Sequence, residues 1–159
     1  MDDNLTIKQA KEILRKHLEG KGGLCPCCGQ FTKAYKRKIT STMAYGLIKL
    51  NQAVNGEFHL EDKLKELDIL KIVRSDFPKL RYWGLIRQLE GKRDDGSSRN
   101  GHYEITSLGR KFVNNEVSLP KYVFVYDNSP YKRTHDQQVK ITQCMGSKFD
   151  YNEIMNIKN

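Results

Sequence analysis

Residues 82–109 read Tyr82-Trp83-Gly84-Leu85-Ile86-Arg87-Gln88-Leu89-Glu90, then the polar run GKRDDGSSRNG over 91–101, then His102-Tyr103-Glu104-Ile105-Thr106-Ser107-Leu108-Gly109. Gly84 can end a helix, because glycine takes the left-handed backbone of a helix stop at little cost. The six residues from Leu85 to Glu90 alternate as a strand does. The run 91–101 carries glycines, serines and charges and no apolar residue, which is the composition of a loop. His102 to Thr106 is the return strand of a hairpin. Thr106 then caps a further helix carrying Leu108, Phe112 and Val113.

Upstream of this hairpin the pattern turns helical. Thr40, Ser41 or Thr42 can cap a helix running to about Gln52, with Met43, Leu47, Ile48, Leu50 and Val54 as its apolar side and Gly56 beyond its end. Glu57-Phe58-His59-Leu60 fits a very short strand. Glu61 to about Val73 reads as helix, with Leu64, Leu67, Leu70 and Val73 at intervals of three. Ser75-Asp76 opens another short helix with Phe77, Leu80 and Trp83 inward. Pro78 fits only a first turn, so that helix starts near Asp76.

Helix, short strand, two helices and a β-hairpin is the order of a winged helix-turn-helix domain. The Gly84-Leu85-Ile86, Asp94-Asp95-Gly96 and Tyr103-Glu104-Ile105-Thr106-Ser107-Leu108-Gly109 segments resemble the ending of bacterial winged-helix regulators of the MarR and PadR type. The likeness covers about residues 40–115. With the cysteine cluster upstream and Phe149-Asp150-Tyr151 near the end, the chain also resembles small phage- and prophage-encoded proteins. The resemblance implies a winged-helix core that binds duplex DNA. In such a core Lys79, Arg81 and Tyr82 point away from the Phe77/Leu80/Trp83 stripe. Arg81 is the candidate for a guanine edge and Lys79 for a phosphate. Lys71 and Arg74 precede that helix and can clamp phosphate. Lys92, Arg93 and Arg99 lie on the wing.

The N-terminal stretch has its own signals. Thr6 and Gln9 form a capping box ahead of Ile7, Ala10, Ile13, Leu14 and Leu18, and Gly20 stops that helix. His17 lies beside the apolar stripe and reads as a packing histidine. Cys25-Pro26-Cys27-Cys28-Gly29 places Cys25 and Cys28 at the spacing of half a zinc ribbon. Two readings stay open, a zinc site completed by other ligands and a metal-free turn with reduced thiols. Cys27, His17, His102, His135, Cys144 or the cysteine pair of a second copy could complete the site. Phe31 to Ile39 reads as one short strand, in which Lys33, Lys36, Arg37 and Lys38 are interleaved with Phe31 and Tyr35. Cations among aromatics suit a nucleic-acid surface. A merely solvated strand face fits the same residues.

Downstream, Val117 to Tyr126 is strand-like on both faces and reads as buried, with Pro120 drawing it toward an edge. Asp127-Asn128-Ser129-Pro130 is a turn. Val139, Ile141 and Cys144 suggest a second strand or short helix, with Cys144 as core. Asp150 can cap a last helix.

The whole chain of 159 residues carries 28 basic and 19 acidic side chains, a formal charge of +9. That balance favours a polyanionic partner. No apolar run is long enough to span a membrane. Three of the four cysteines lie within four residues, 25–28, which suits a reducing, cytoplasmic compartment better than a disulfide framework. The P-loop, G-x-S-x-G and dinucleotide motifs are absent, and the four histidines (17, 59, 102 and 135) are scattered in sequence. The reading is therefore non-enzymatic. It gives an α+β chain with an N-terminal helix and knuckle over 1–39, a winged-helix core over 40–116 and a short β/α extension over 117–159. Duplex DNA is the expected partner, with a homodimer also expected from the half zinc site. The alternative class is a factor that binds and inhibits a host protein or nucleoprotein complex.

Overall fold

The computed structural model describes residues 4–73, 76–90 and 101–157. Arg74, and Lys92, Arg93 and Arg99 expected on a wing, lie outside the described residues. In chain order the elements are α1 (Ile7–Glu19), β1 (Gly23–Leu24), β2 (Phe31–Thr32), β3 (Tyr35–Lys38), α2 (Ser41–Ala53), β4 (Phe58–His59), α3 (Leu60–Glu66), a 3₁₀ helix (Phe77–Trp83), β5 (Ile86–Gln88) and β6 (His102–Ile105). They continue with α4 (Ser107–Val113), β7 (Leu119–Pro120), β8 (Tyr122–Tyr126), β9 (Ser129–Arg133), β10 (Gln138–Val139), α5 (Ile141–Met145) and α6 (Tyr151–Ile154). The protein is α+β, with small antiparallel sheets. Among the described residues no helix is long and apolar enough to cross a membrane.

The chain forms two compact units. The first holds residues 1–38 and 122–133, and the second holds 39–121 and 134–159. The stretch 117–159, read from sequence as one extension, is thus shared between them.

In the first unit α1 starts at the capping box expected of Thr6 and Gln9: the Gln9 N–H donates to the Thr6 hydroxyl, and the Thr6 N–H to the Gln9 side chain. Arg15 bridges Glu12 and Glu19 on its exposed side. Strands β1 and β2 form a short hairpin in which the Thr32 hydroxyl donates to the Gly23 carbonyl at 2.9 Å. The segment Phe31 to Ile39 is two strands rather than the single one expected. Lys33 and Ala34 interrupt it, Ala34 being buried, so β2 and β3 join different sheets. Strand β3 pairs with β8, which is central in the order β3-β8-β9. Asp127 and Asn128, both at positive φ, make the two-residue turn from β8 to β9, the geometry that matches the twist of a tight hairpin.

In the second unit α2 is the central element. Thr40 caps it, and Met43, Ala44, Leu47, Ile48 and Leu50 are buried along it. Gly46 lets Val73 and Phe77 approach: a Cβ there would lie 2.8 Å from the Val73 side chain. Helix α3 ends at Glu66, seven residues before the end expected from the leucine spacing. Asp68 takes a left-handed φ of 58° and breaks the run, and Ile69 and Val73 are buried from an irregular turn instead. The 3₁₀ helix carries Pro78 in its first turn and ends at Gly84, which has φ 76°. Strands β4, β5 and β6 form a sheet in the order β4-β6-β5. Trp83 is 4% exposed, and its indole N–H donates to the Pro120 carbonyl at 2.9 Å. Trp83→Phe replaces the indole by a smaller ring and orphans that acceptor. It is expected to cost about 2–4 kcal/mol in urea unfolding, and an unchanged midpoint would show that neither the bond nor the packing of the indole contributes. Near the C-terminus Phe149 stacks on Tyr45 with ring centroids 4.5 Å apart, and the Tyr151 hydroxyl donates to the Val113 carbonyl at 2.6 Å. Asp150 caps α6 as expected.

Candidate nucleic-acid interface

The three-stranded sheet of the first unit gathers charge and aromatic surface on one face. Directly opposed residues of antiparallel strands point to the same side. Lys36 opposes Phe124, which opposes Lys132, and Lys38 opposes Tyr122. That face therefore carries three lysines, all exposed, around the half-buried rings of Tyr122 and Phe124. The Lys36 ammonium sits 3.9 Å from the centre of the Tyr122 ring. A cation held on a ring face in this way is positioned without losing its charge. The opposite face holds Val123 and Val125, both buried, with Arg37 and Arg133 flanking Val123 in register. Arg37 and Lys33 both approach the Tyr35 ring, at 5.7 and 5.6 Å from its centre.

The structure thus brings Lys36 and Lys38 together with three residues that sequence reasoning alone passes over, Tyr122, Phe124 and Lys132. Val117 to Tyr126, read from sequence as one strand apolar on both faces, is two strands, β7 and β8, and β8 alternates buried and half-buried positions ahead of the turn at Asp127-Asn128. Nothing local says that it pairs with residues 35–38.

The second unit places the remaining described candidates. Lys79 is half-buried and paired with Asp76 at 2.7 Å. Arg81 is half-buried and stacks over the Tyr82 ring, its guanidinium carbon 4.9 Å from the ring centre. Tyr82, expected on the outer side, is buried at 5% exposure. A 3₁₀ turn has three residues rather than 3.6, so the side chains run in three rows instead of two faces. Here Phe77, Leu80 and Trp83 fill one row and Tyr82 fills part of the next. Lys71 is exposed and borders a cavity of about 540 Å³ together with Thr42, Phe77, Lys148 and Phe149.

The cysteine cluster sits on the loop between β1 and β2. The Cys25 N–H donates to the Gln30 carbonyl at 2.7 Å and the Gly29 N–H to the Cys25 carbonyl at 2.9 Å, closing a tight turn. Gly29 supplies the positive φ, 75°, that the turn needs. Hydrogen bonds from the backbone N–H groups of Cys27 and Cys28 hold the Cys25 thiol below its usual pKa. The turn is the tight one expected of this spacing. Among the described residues no group of three or more His, Cys, Asp or Glu side chains could hold a metal ion. His17 packs its ring against Gly23, where a Cβ would lie 2.7 Å from the imidazole. It is the packing histidine expected, and its Nδ1 is buried without a hydrogen-bond partner. Gly23→Ala is expected to push this ring out and lower the melting temperature by several degrees, consistent with the roughly 1–3 kcal/mol typical of overpacking; an unchanged melt would mean that α1 and the hairpin part at no cost. Cys144 is partly buried in the second unit, and burial pushes its thiol up to about 11. His59 and His102, far apart in sequence, are register partners across β4 and β6 with ring centroids 5.1 Å apart. Their Nδ1 atoms lie 3.2 Å from Asp62 and 3.1 Å from Glu57 respectively.

Comparison of the chain with protein-family models, with curated proteins and with solved structures finds no match.

Proposed function

We propose that this protein binds duplex DNA, with the β3-β8-β9 face of the first unit as a principal contact surface. The observation that carries the reading is the juxtaposition of Lys36, Lys38 and Lys132 around Tyr122 and Phe124 on one sheet face. Three exposed ammonium groups on a rigid sheet can meet consecutive phosphates, and each contact releases a condensed counterion, which is the main driving force of such binding. The formal charge of +9 draws the polyanion in from a distance.

The second unit supports a winged-helix contribution to the same function. Its elements run α2, β4, α3, 3₁₀ helix, β5, β6, with β4 and β5 flanking β6. In that reading the 3₁₀ helix takes the place of the recognition helix, and Lys79 and Arg81 are its contact residues. Lys79 must then exchange Asp76 for a phosphate, which limits what it adds. A protein of this kind acts as a regulator at DNA, with cytoplasmic residence and no catalytic step. The alternative, a factor that docks on a host protein, predicts no protection of the sheet by DNA. Lysine acetylation footprinting separates the two. Saturating duplex is expected to lower the acetylation of Lys36, Lys38 and Lys132 at least fivefold while Lys8 and Lys111 react as before. Equal acetylation with and without duplex would reject the sheet as the interface.

A further inference from the structure

The turn over residues 25–29 carries two thiols, Cys25 and Cys28, at the spacing of half a zinc site. A structural zinc site closes with four ligands, whereas Cys25 and Cys28 supply two from one tight turn. The Cys27 N–H points at the Cys25 sulfur from 3.4 Å, the kind of outer hydrogen bond that orients a sulfur ligand. Among the described residues no third side chain completes a set within one chain. The surroundings are apolar and uncovered. Leu24 and Phe31 are cross-strand partners flanking the cysteine turn, and they are 64% and 60% exposed. Two large apolar side chains bracketing an incomplete ligand set need a partner surface that brings two more sulfurs and more apolar area. A second copy of the same knuckle brings both.

We propose that Cys25 and Cys28 from two copies of this chain together hold one zinc ion, with Leu24 and Phe31 of each copy packed around it. The symmetry is isologous, so one patch serves both sides. Binding replaces the four thiol protons, which pass to solvent, with one divalent cation, and the site is tetrahedral and all-sulfur. The proposal is independent of the DNA reading and is tested without DNA.

The test is a titration of the full, reduced chain with cobalt(II), followed by zinc displacement, alongside sedimentation velocity. The expected result is saturation at one metal per two chains. The intense sulfur-to-cobalt absorption of a four-thiolate site should accompany it, with conversion of monomer to dimer that a chelator reverses. Cys25→Ser or Cys28→Ser should abolish both readouts, and Cys27→Ser should change neither. Should the cysteine variants fold poorly, Leu24→Ser with Phe31→Ser keeps every ligand. It is expected to raise the chain concentration at half-dimerisation at least tenfold while leaving the absorption spectrum of the saturated site unchanged. Saturation at one metal per monomer would overturn the shared site. So would an absence of metal uptake, or a dimer indifferent to the chelator.

Discussion

Gly109→Ala is expected to destabilise the second unit by about 3 kcal/mol or more, lowering its melting temperature by on the order of 10 °C. The reason is a backbone clash. A Cβ at Gly109 would lie 2.2 Å from the Leu85 carbonyl oxygen and 2.8 Å from the Ile105 side chain. A flexible side chain could yield to it, but Leu85 cannot, because its carbonyl also accepts the Thr106 N–H at 3.0 Å. The Thr106 hydroxyl in turn donates to the Gly84 carbonyl at 2.6 Å and accepts the Gly109 N–H at 3.0 Å. Four residues, Gly84, Leu85, Thr106 and Gly109, thus fasten the start of α4 to the backbone after the 3₁₀ helix. Displacing the helix to admit a methyl group strains each of these bonds. Gly56→Ala serves as the control. Nothing lies within 4 Å of an added Cβ there, and its φ is 109°, a conformation an alanine adopts only with strain, so the backbone cost alone, about 1–3 kcal/mol, applies. Thermal unfolding followed by circular dichroism reads both variants. A Gly109→Ala melt within about 2 °C of the parent would mean that α4 is not fastened in this way.

The second large effect concerns binding. Replacing Lys36, Lys38 and Lys132 together by alanine should weaken binding to a duplex on the order of 100-fold at low salt. The slope of log affinity against log salt should become shallower by roughly 2.7, about 0.9 for each phosphate that no longer meets a lysine. All three side chains are exposed, so their removal leaves the core of the sheet, Val123 and Val125, in place. Taking the Lys36 ammonium off the Tyr122 ring costs at most about 1 kcal/mol of stability. The matched control removes the same charge elsewhere, at Lys8, Lys11 and Lys111, all exposed. It should weaken binding only through the smaller net charge. Equal weakening in the two triple variants would show that net charge binds the DNA and that the sheet has no special part.

Local chemistry makes much of this molecule readable. Thr6, Thr106 and Asp150 each cap the helix expected of them, and Thr40 is the one of Thr40, Ser41 and Thr42 that caps α2, because a cap is a contact within one turn. The hairpin β5–β6, the short strand β4 and the turn at Asp127-Asn128 are equally legible. The spacing of Leu64, Leu67 and Leu70 misleads, since a period of three continues past the point where Asp68 leaves the helix. Tyr82 is misplaced for a related reason, the tighter winding of the 3₁₀ helix. What stays hidden in the sequence is the pairing of residues 35–38 with 122–126. Two short strands so far apart in the chain carry no mutual signal beyond alternation. The candidate interface lies on that pairing, so Tyr122, Phe124 and Lys132 are hidden while Lys36 and Lys38 are visible as a cluster. The cysteine turn is legible from spacing alone, whereas the exposure of Leu24 and Phe31 beside it is not.

On the proposed function, the positive charge of this chain serves DNA. The most direct measurement is fluorescence anisotropy of a labelled random-sequence duplex titrated with the unmodified protein at about 50 and 200 mM salt. Micromolar binding is expected at the lower salt, with at least a tenfold weakening at the higher. No detectable binding at about 50 mM salt would contradict it and would turn the second unit and the lysine-bearing sheet toward a protein partner instead.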